Sequence, residues 1–370
     1  MAVQDVRGWT ETSVLRVRPD AGQEATVGDA TEKGGRHPAE GSVEHLGELA
    51  LVDLISNLCA QSEAGNLDLV GIGDDAAVVA APDRRVVVSA DMAVAGRHFR
   101  TDWSDARHIG VRVAAANLAD IAAMGAQPTN FLLSLGLPRS TEVSWVLDLV
   151  RGVVAETMRA GAVVAGGDVV GAQEIIVAGT ALGDLAGRSP VRRSGAVAGD
   201  QIAVAGRLGW AAAGLAVLTR GFRSPRALVD AHRQPEPPYQ AGVQAGVSGA
   251  HAMIDVSDGL LLDAARIARA SMVEIDIESA LITVAEPIAA AAAAYNLDPL
   301  QWILGGGDDH AFLAAFAPDA PLPDGFTRIG QVRAHTSAMS AMADGANPVT
   351  GWVTVDGKTP EGSAGYAHFS

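Results

Sequence analysis

Six short, largely apolar segments of this chain carry aspartate, most of them at glycine-containing corners, and these corners limit both its fold and its chemistry. Glycine relieves backbone strain in a tight turn, so each corner can present carboxylates at the end of a buried segment. Taken singly, each corner could equally be an ordinary hairpin or loop. Taken together they are typical of a magnesium–nucleotide site, because Mg²⁺ prefers oxygen ligands. The six segments are GIGDD (71–75), VVVSAD (86–91), NLADIAAMGA (117–126), VAGGD (164–168), MIDVSDGLLLD (253–263) and LGGGDD (304–309).

Lysine is almost missing from the sequence, which contains Lys33 and Lys358 and no other. No residue between them can serve as a Walker lysine, as the strand lysine of a protein kinase or as a Schiff base. The common nucleotide-binding folds that depend on such a lysine are therefore excluded. Any phosphate must be bound by metal ions, arginines and backbone amides.

The charge balance and the single cysteine limit the class of partner and the compartment. The formal net charge is −16 and no basic stripe is visible, so we expect no nucleic-acid partner. Cys59 cannot form an intramolecular disulfide or a thiolate metal cluster, which suits a reducing cytoplasm. No apolar run approaches the ~20 residues of a membrane span, and the N-terminus lacks the apolar core of a signal peptide. We expect a cytoplasmic protein without a membrane partner.

The 370 residues are enough for two domains, and composition suggests where they divide. Residues 1–45 lack a periodic apolar face and are predicted to be a disordered extension. A change of composition over 186–200 predicts one domain at 46–188 and a second at 189–370. Their mixed order of helices and strands favours α/β and α+β halves over a regular doubly wound sheet. Within the first, we expect a strand over 84–94 that is buried on both faces.

A long helix from about Asp105 to Met124 carries the most specific carboxylate. Val113, Asn117 and Asp120 recur at helical spacing and place polar groups on an otherwise buried face. A buried carboxylate is costly unless it is paired or binds a metal, so Asp120 is a candidate metal ligand. The alternative is a structural salt bridge to an arginine such as Arg112. Asp91 ends a valine-rich strand, a position from which α/β proteins often aim functional side chains.

The segment DVSDGLLLD is predicted to form the end of a strand, a turn and the start of a helix. Asp255 ends a short strand, and Ser257 or Asp258 is predicted to cap the helix that follows. Plain capping is one interpretation. The other is that these groups hold a magnesium-bound phosphate at the helix N-terminus. Asp263, one turn further along the helix, is expected to be solvated. In a different segment, VAGGD is expected to be a strand that ends in a turn.

In order and spacing, these motifs resemble thiamine-monophosphate kinase, of the superfamily that includes aminoimidazole ribonucleotide synthetase and selenophosphate synthetase. The resemblance covers roughly residues 46–370 and rests on GIGDDAAVV, SADMAVAGRHF, NLADIAAMGA, VAGGD, RRSGAVAGD, IDVSDGLLLD, GGGDDHAF and GYAHF. It implies a two-domain PurM-like architecture, with an N-terminal α/β domain that pairs with its twin in a homodimer and a C-terminal α+β domain. It also implies the reaction of ATP with thiamine monophosphate to give ADP and thiamine diphosphate, with several Mg²⁺ ions.

The resemblance assigns roles to individual positions. Asp91, Asp120 and Asp258 would be catalytic. Arg193, Ser257 and Gly167 would contact ATP, and His98, Asp308 and Tyr366 would line the thiamine phosphate pocket. The implied metal sites comprise Asp75, Ser89, Ala90, Asp91, Asp120, Asp168, Asp255 and Asp258.

Two of these positions depart from the family pattern. Ala90 stands where the family often has threonine, so only its carbonyl could be a ligand. Asp308 replaces a more usual glutamate, which shortens its reach towards the substrate by one methylene.

The sequence shows no conspicuous general base, and a phosphate monoester as acceptor of the phosphoryl group would not need one. A phosphate monoester has a second pKa of ~6 and is largely deprotonated at neutral pH. The reaction then needs charge neutralisation and in-line alignment of two anions, so we expect direct transfer without a phosphoenzyme. Two alternatives stay open. One is another ATP-using enzyme of the superfamily, similar to aminoimidazole ribonucleotide synthetase, and the other is a degenerate Mg–nucleotide-binding protein, which the two departures suggest.

Overall fold

The computed structural model describes residues 41–60, 68–70, 72, 76–335 and 348–360. Asp75, Tyr366 and nearly all of the predicted extension 1–45 lie outside these residues. The helices are α1 (Val43–Leu46), α2 (Glu48–Cys59), α3 (Ala106–Ala123), α4 (Val143–Ala160), α5 (Trp210–Thr219), α6 (Arg226–Arg233), α7 (Tyr239–Val247), α8 (Leu260–Ser271), α9 (Glu286–Ala294) and α10 (Leu300–Gly305). The strands are β1 (Asp68–Val70), β2 (Val78–Val79), β3 (Val87–Val94), β4 (Gln127–Leu137), β5 (Val163–Gly171), β6 (Ile176–Asp184), β7 (Gln201–Ala205), β8 (Ala252–Val256), β9 (Val273–Ile277), β10 (Ala311–Phe316), β11 (Phe326–Ala334) and β12 (Val353–Val355).

The first half of the chain forms a four-stranded sheet in the order β3-β6-β4-β5. The strands pair antiparallel except β4 and β5, which are parallel and joined through α4. Helices α3 and α4 supply Ile109, Leu118 and Leu149 to a core that also contains Phe131 of β4. Gly179 of β6 lets α3 approach closely, since a Cβ there would lie 2.6 Å from Nδ2 of Asn117. The polar stripe of α3 is thereby held against the sheet.

The second half forms a six-stranded sheet in the order β12-β9-β11-β7-β10-β8, antiparallel except for the β12–β9 pair. One face packs against α8 through residues such as Ile254 and Leu260. The other face contributes Met253 and Phe312 to the core that contains α3. Helix α3 therefore contacts both sheets, and it can bring side chains of the two halves to one place.

These elements confirm the mixed α/β and α+β fold class, with two large sheets beside the two-stranded sheet of β1 and β2. The predicted boundary between residues 188 and 189 stays a prediction. Within the part of the chain described here, no helix combines the length and the apolar character that crossing a bilayer requires.

Two predictions about strands are wrong. Strand β3 is not buried on both faces: Val88 is 60% and Met92 59% exposed, because β3 is an edge strand and the face of the sheet away from α3 is uncovered in one chain. Strand β5 does not end in a turn at VAGGD. It continues through Asp168 to Gly171, because its parallel pairing with β4 extends to Leu137.

Candidate active site

Strand β3 and helix α3 bring three of the predicted residues together. The Ser89 hydroxyl donates a hydrogen bond of 2.6 Å to Oδ2 of Asp120. One turn earlier on α3, Asn117 accepts a hydrogen bond from the backbone N–H of Asp91 (2.8 Å) through Oδ1 and donates to the carbonyl of Val113 (2.8 Å) through Nδ2. The buried amide of Asn117 therefore fixes the register between α3 and β3. Ser89 and Asp91 share the face of β3 that meets α3, whereas Ala90 points to the opposite, exposed face.

The second half of the chain adds Asp255 and a histidine that the sequence did not single out. Asp255 is the residue before the last of β8, and its Oδ2 lies 3.1 Å from Nδ1 of His310, with both side chains buried. The loop before β10 is fastened to the turn after β8, because the N–H groups of Asp308 and His310 donate to the carbonyls of Ser257 (2.9 Å) and Val256 (3.1 Å). The signal for His310 was present in the sequence, where it directly follows Asp308 and Asp309.

The carboxylates of Asp91 and Asp255 lie close enough to Asp120 to act on its charge. The pKa of Asp120 is raised to about 7, first by burial and then by the charges of Asp255 and Asp91, while the hydrogen bond from Ser89 lowers it. Burial would lower the pKa of His310, but its hydrogen bond to Asp255 and the nearby carboxylate charges outweigh burial and raise it. One imidazole therefore faces several carboxylates, and negative charge accumulates here.

This accumulation is what a hard divalent cation would neutralise, and the donor set consists of the oxygen ligands that Mg²⁺ prefers. As the side chains stand, however, no group of three or more His, Cys, Asp or Glu residues among the described positions is arranged to hold a metal ion. The residues fit magnesium by their chemistry and charge, without a preformed cage.

The turn after β8 differs from the prediction. Neither Ser257 nor Asp258 caps α8, which begins after Gly259 without a side-chain cap. Instead Asp263, predicted to be solvated, is fully buried and its Oδ2 accepts from the N–H groups of Ser257 (3.1 Å), Asp258 (3.1 Å) and Gly259 (3.2 Å). These three N–H groups are thus already bonded to a carboxylate of the chain itself, so this turn does not offer them to a phosphate.

Arg266 contacts the carboxylate of Asp258 in this turn and that of Asp263 in the first turn of α8. Burial raises the pKa of Asp263 to about 7, although the charge of Arg266 opposes the rise. Asp258 is neutralised by an arginine in this structure, in contrast to Asp120. The sequence signal for both contacts was local, since Arg266 follows Asp263 by three residues on one face of α8.

The predicted alternative for Asp120, a salt bridge to Arg112, is wrong. Nη2 of Arg112 lies 2.7 Å from Oδ2 of Asp308, and Nη1 donates to the carbonyl of His232 at 2.8 Å. Asp308 is thus tied to α3, although 196 residues separate it from Arg112 in the sequence. No pattern in the sequence reveals a contact over such a separation.

The remaining predicted residues are placed as follows. Gly167 and Asp168 are exposed on β5, and Asp168 accepts a hydrogen bond from the N–H of Val169 (2.9 Å). Arg193 is exposed between β6 and β7, and its carbonyl accepts from Ser271. His98 follows β3, and its Nδ1 accepts from the N–H of Val94 at 3.1 Å. The roles assigned to these residues stay predictions.

Known proteins are similar to this chain in sequence. Residues 73–185 match the family described as AIR synthase related protein, N-terminal domain. A thiamine-monophosphate kinase of Mycobacterium tuberculosis is 42% identical over 325 residues, which cover 88% of this chain and 96% of that protein.

Solved structures show the same similarity in three dimensions. The thiamine-monophosphate kinase of Stenotrophomonas maltophilia matches with a TM-score of 0.71 and 29% identity, over 84% of this chain and 97% of that one. A structure described as AaThiL complexed with AMPPCP and TMP matches with a TM-score of 0.69 and 29% identity, over 88% of this chain and 98% of that one. With its fold, its acidic site between two sheets and a relative this similar over nearly its full length, the chain belongs to the thiamine-monophosphate kinase family.

Proposed function

We propose that this protein transfers the γ-phosphoryl group of ATP to thiamine monophosphate and releases ADP and thiamine diphosphate. The observation that carries the proposal is the 42% identity to a thiamine-monophosphate kinase over 88% of the chain. The similar AaThiL structure, complexed with AMPPCP and TMP, supports both substrates, since AMPPCP is an analogue of ATP. The relatives that match most of this chain are named as kinases of thiamine monophosphate, which favours this activity over that of the related ligase.

Magnesium is part of the proposal. Asp91, Asp120 and Asp255 would hold it, with Ser89 beside Asp120, and the predicted ligands Asp75, Ala90, Asp168 and Asp258 would complete several sites. When bound, such ions neutralise the phosphate oxygens of both substrates. The support is the position of Asp120, whose pKa is raised first by burial and then by the charges of Asp255 and Asp91.

The chain's own residues then bind and orient the two anions. The acceptor phosphate has a second pKa of ~6, so it needs no base to deprotonate it at neutral pH. Ser89 and Asn117 hold Asp120 and the backbone of Asp91 in place, which favours in-line alignment over chemical activation. Transfer is direct in this scheme, and a competent phosphoenzyme would contradict it.

We also propose that the protein is a homodimer. The uncovered face of the four-stranded sheet carries Val88, Ala90 and Met92 of β3 and the adjacent Ala178 and Leu182 of β6. Val88 and Met92 are more than half exposed in one chain, and a second copy would bury this apolar face. Use of ATP and a buried thiol at Cys59 support a cytoplasmic location.

The decisive experiment is incubation of the purified protein with ATP, Mg²⁺ and thiamine monophosphate, followed by chromatographic detection of thiamine diphosphate. Product that depends on all three components supports the proposal, and Asp120→Asn is the matched inactive variant. Binding of ATP without product would instead favour the degenerate nucleotide-binding protein.

A further inference from the structure

Arg112 is a partly buried cation of helix α3 that joins the two halves of the chain at the candidate active site. Its side chain is 18% exposed, and its two terminal nitrogens are used by different partners. Nη2 pairs with the carboxylate of Asp308 at 2.7 Å, and Nη1 donates to the carbonyl of His232 at 2.8 Å. Because both ends of the guanidinium are bonded, the direction of the Asp308 carboxylate is fixed relative to α3.

The backbone of Asp308 is held independently of this pair. Asp308 has a φ of +65° and donates its N–H to Ser257. At the preceding Gly307, a Cβ would lie 2.1 Å from the carbonyl oxygen of Ser257, so the loop is seated tightly on the turn after β8. The backbone thus sets where Asp308 is, and Arg112 sets where its carboxylate points.

The charges around Asp308 keep it ionised and accessible. Burial would raise the pKa of Asp308, but the nearby positive charges, that of Arg112 first, together outweigh burial and lower it below its ordinary value. The Asp308 side chain is still 47% exposed despite its pairing, so the carboxylate is accessible to solvent. His232 adds no fixed charge at neutral pH, because burial and Arg112 lower its pKa to about 4.

We propose that Arg112 is a positioning residue for the acceptor, which acts through Asp308 by aiming an ionised carboxylate at the cationic ring of thiamine monophosphate. The inference rests on the proposed function. The thiazolium nitrogen of thiamine carries a permanent positive charge, and a carboxylate is its natural partner. Asp308 has a short side chain with few rotamers, so a fixed guanidinium can determine its direction. Lysine could not replace Arg112 fully, because one ammonium group lacks the planar fork that spans Asp308 and His232.

The test compares Arg112→Met, Arg112→Lys, Asp308→Asn and the double variant Arg112→Met/Asp308→Asn by steady-state kinetics with each substrate varied. Arg112→Met should raise KM for thiamine monophosphate about 10- to 100-fold, the effect of losing an interaction with a charged group, with little change in KM for ATP. Arg112→Lys should fall between Arg112→Met and the wild type. The double variant should be no worse than Asp308→Asn alone, because Arg112 acts through Asp308.

Arg233→Met is the matched control, since Arg233 also joins the halves by donating from Nε to the carbonyl of Trp103 (2.6 Å) and has no bond to Asp308. It should leave KM for thiamine monophosphate unchanged. Protection from thermal unfolding by thiamine monophosphate gives a second readout that does not need turnover. Additive effects in the double variant, or an equal rise of both KM values, would overturn the inference while the activity itself stood. A wild-type protein that forms no thiamine diphosphate would overturn the proposed function, and with it this role.

Discussion

Replacing Asp120 by asparagine should stabilise the metal-free protein at neutral pH while it removes most of the activity. The folded-state pKa of Asp120 is about 7, against an ordinary value of 3.8. The folded protein therefore binds the proton more tightly than the unfolded chain does, and the ionised carboxylate lowers the free energy of unfolding. This loss begins above pH ~4, grows until about pH 7 and is constant beyond. At about 1.4 kcal/mol for each pH unit, it reaches up to about 4 kcal/mol.

Asparagine keeps the shape of the side chain and can still accept the hydrogen bond from Ser89, so the change isolates the charge. Urea unfolding in EDTA should show a variant at least ~1 kcal/mol more stable than the wild type at pH 8 and equal to it near pH 4. Asp319→Asn, on the exposed turn after β10, removes the same charge outside the site and is the control. Added Mg²⁺ should stabilise the wild type more than Asp120→Asn.

Activity is the second half of the same prediction. Asp120→Asn should lower kcat at least ~100-fold, and excess Mg²⁺ should restore it only in part, because a proposed ligand is lost. A variant that is less stable than the wild type at pH 8 in EDTA would refute the charge argument. Turnover equal to that of the wild type would refute the metal assignment.

The remaining predictions concern local structure and assembly. Asp263→Ala should lower the free energy of unfolding by about 2–4 kcal/mol, because it leaves three N–H groups of the turn after β8 without their acceptor. The measurement is unfolding in urea, and a loss below ~0.5 kcal/mol would contradict the contacts at Asp263. Met92→Asp should convert the proposed dimer to a monomer, as measured by light scattering. Phe222→Asp, at another exposed apolar residue, is the control and should leave the dimer intact. A dimeric Met92→Asp variant would argue against β3 as part of the dimer interface.

The helical stripe on α3 could be predicted from sequence because its signal is periodic and local. The spacing of Val113, Asn117 and Asp120 indicated one buried face, and the helix places Asn117 and Asp120 against β3 as that spacing requires. Asp105 and Met124 bounded the helix correctly, and both ends follow from capping preferences. Patterns of this kind are set by the neighbours of each residue in the chain.

What failed depended on sheet order or on pairing over long separations. A run of valines looks the same in an edge strand and in a central one, so the exposure of Val88 could not be read from the sequence. The pairing of Arg112 with Asp308 depends on how the two halves pack, which no local pattern encodes. Asp263 is different, because its contacts are four to six residues away. The prediction assigned the helix cap to Ser257 or Asp258, the first polar residues of the turn. It therefore missed Asp263, whose carboxylate bonds back to the turn from the first turn of the helix.

Helix α3 carries Arg112 and Asp120, and each is proposed to serve a different part of the site, the first the acceptor ring and the second the metal ions. Arg112 and Asp120 are eight residues apart, which is about 12 Å along the axis. At Arg112 the chain balances its own carboxylate, so Asp308 is fixed in direction and available to a cationic ring. At Asp120 the carboxylates are not balanced, and they favour binding of a divalent cation and, through it, of phosphates. Thiamine monophosphate has the same arrangement of charge, with a cation at its ring and an anion at its phosphate. It follows that changes at Arg112 should alter affinity for the acceptor without altering the magnesium dependence, whereas changes at Asp120 should alter the magnesium dependence.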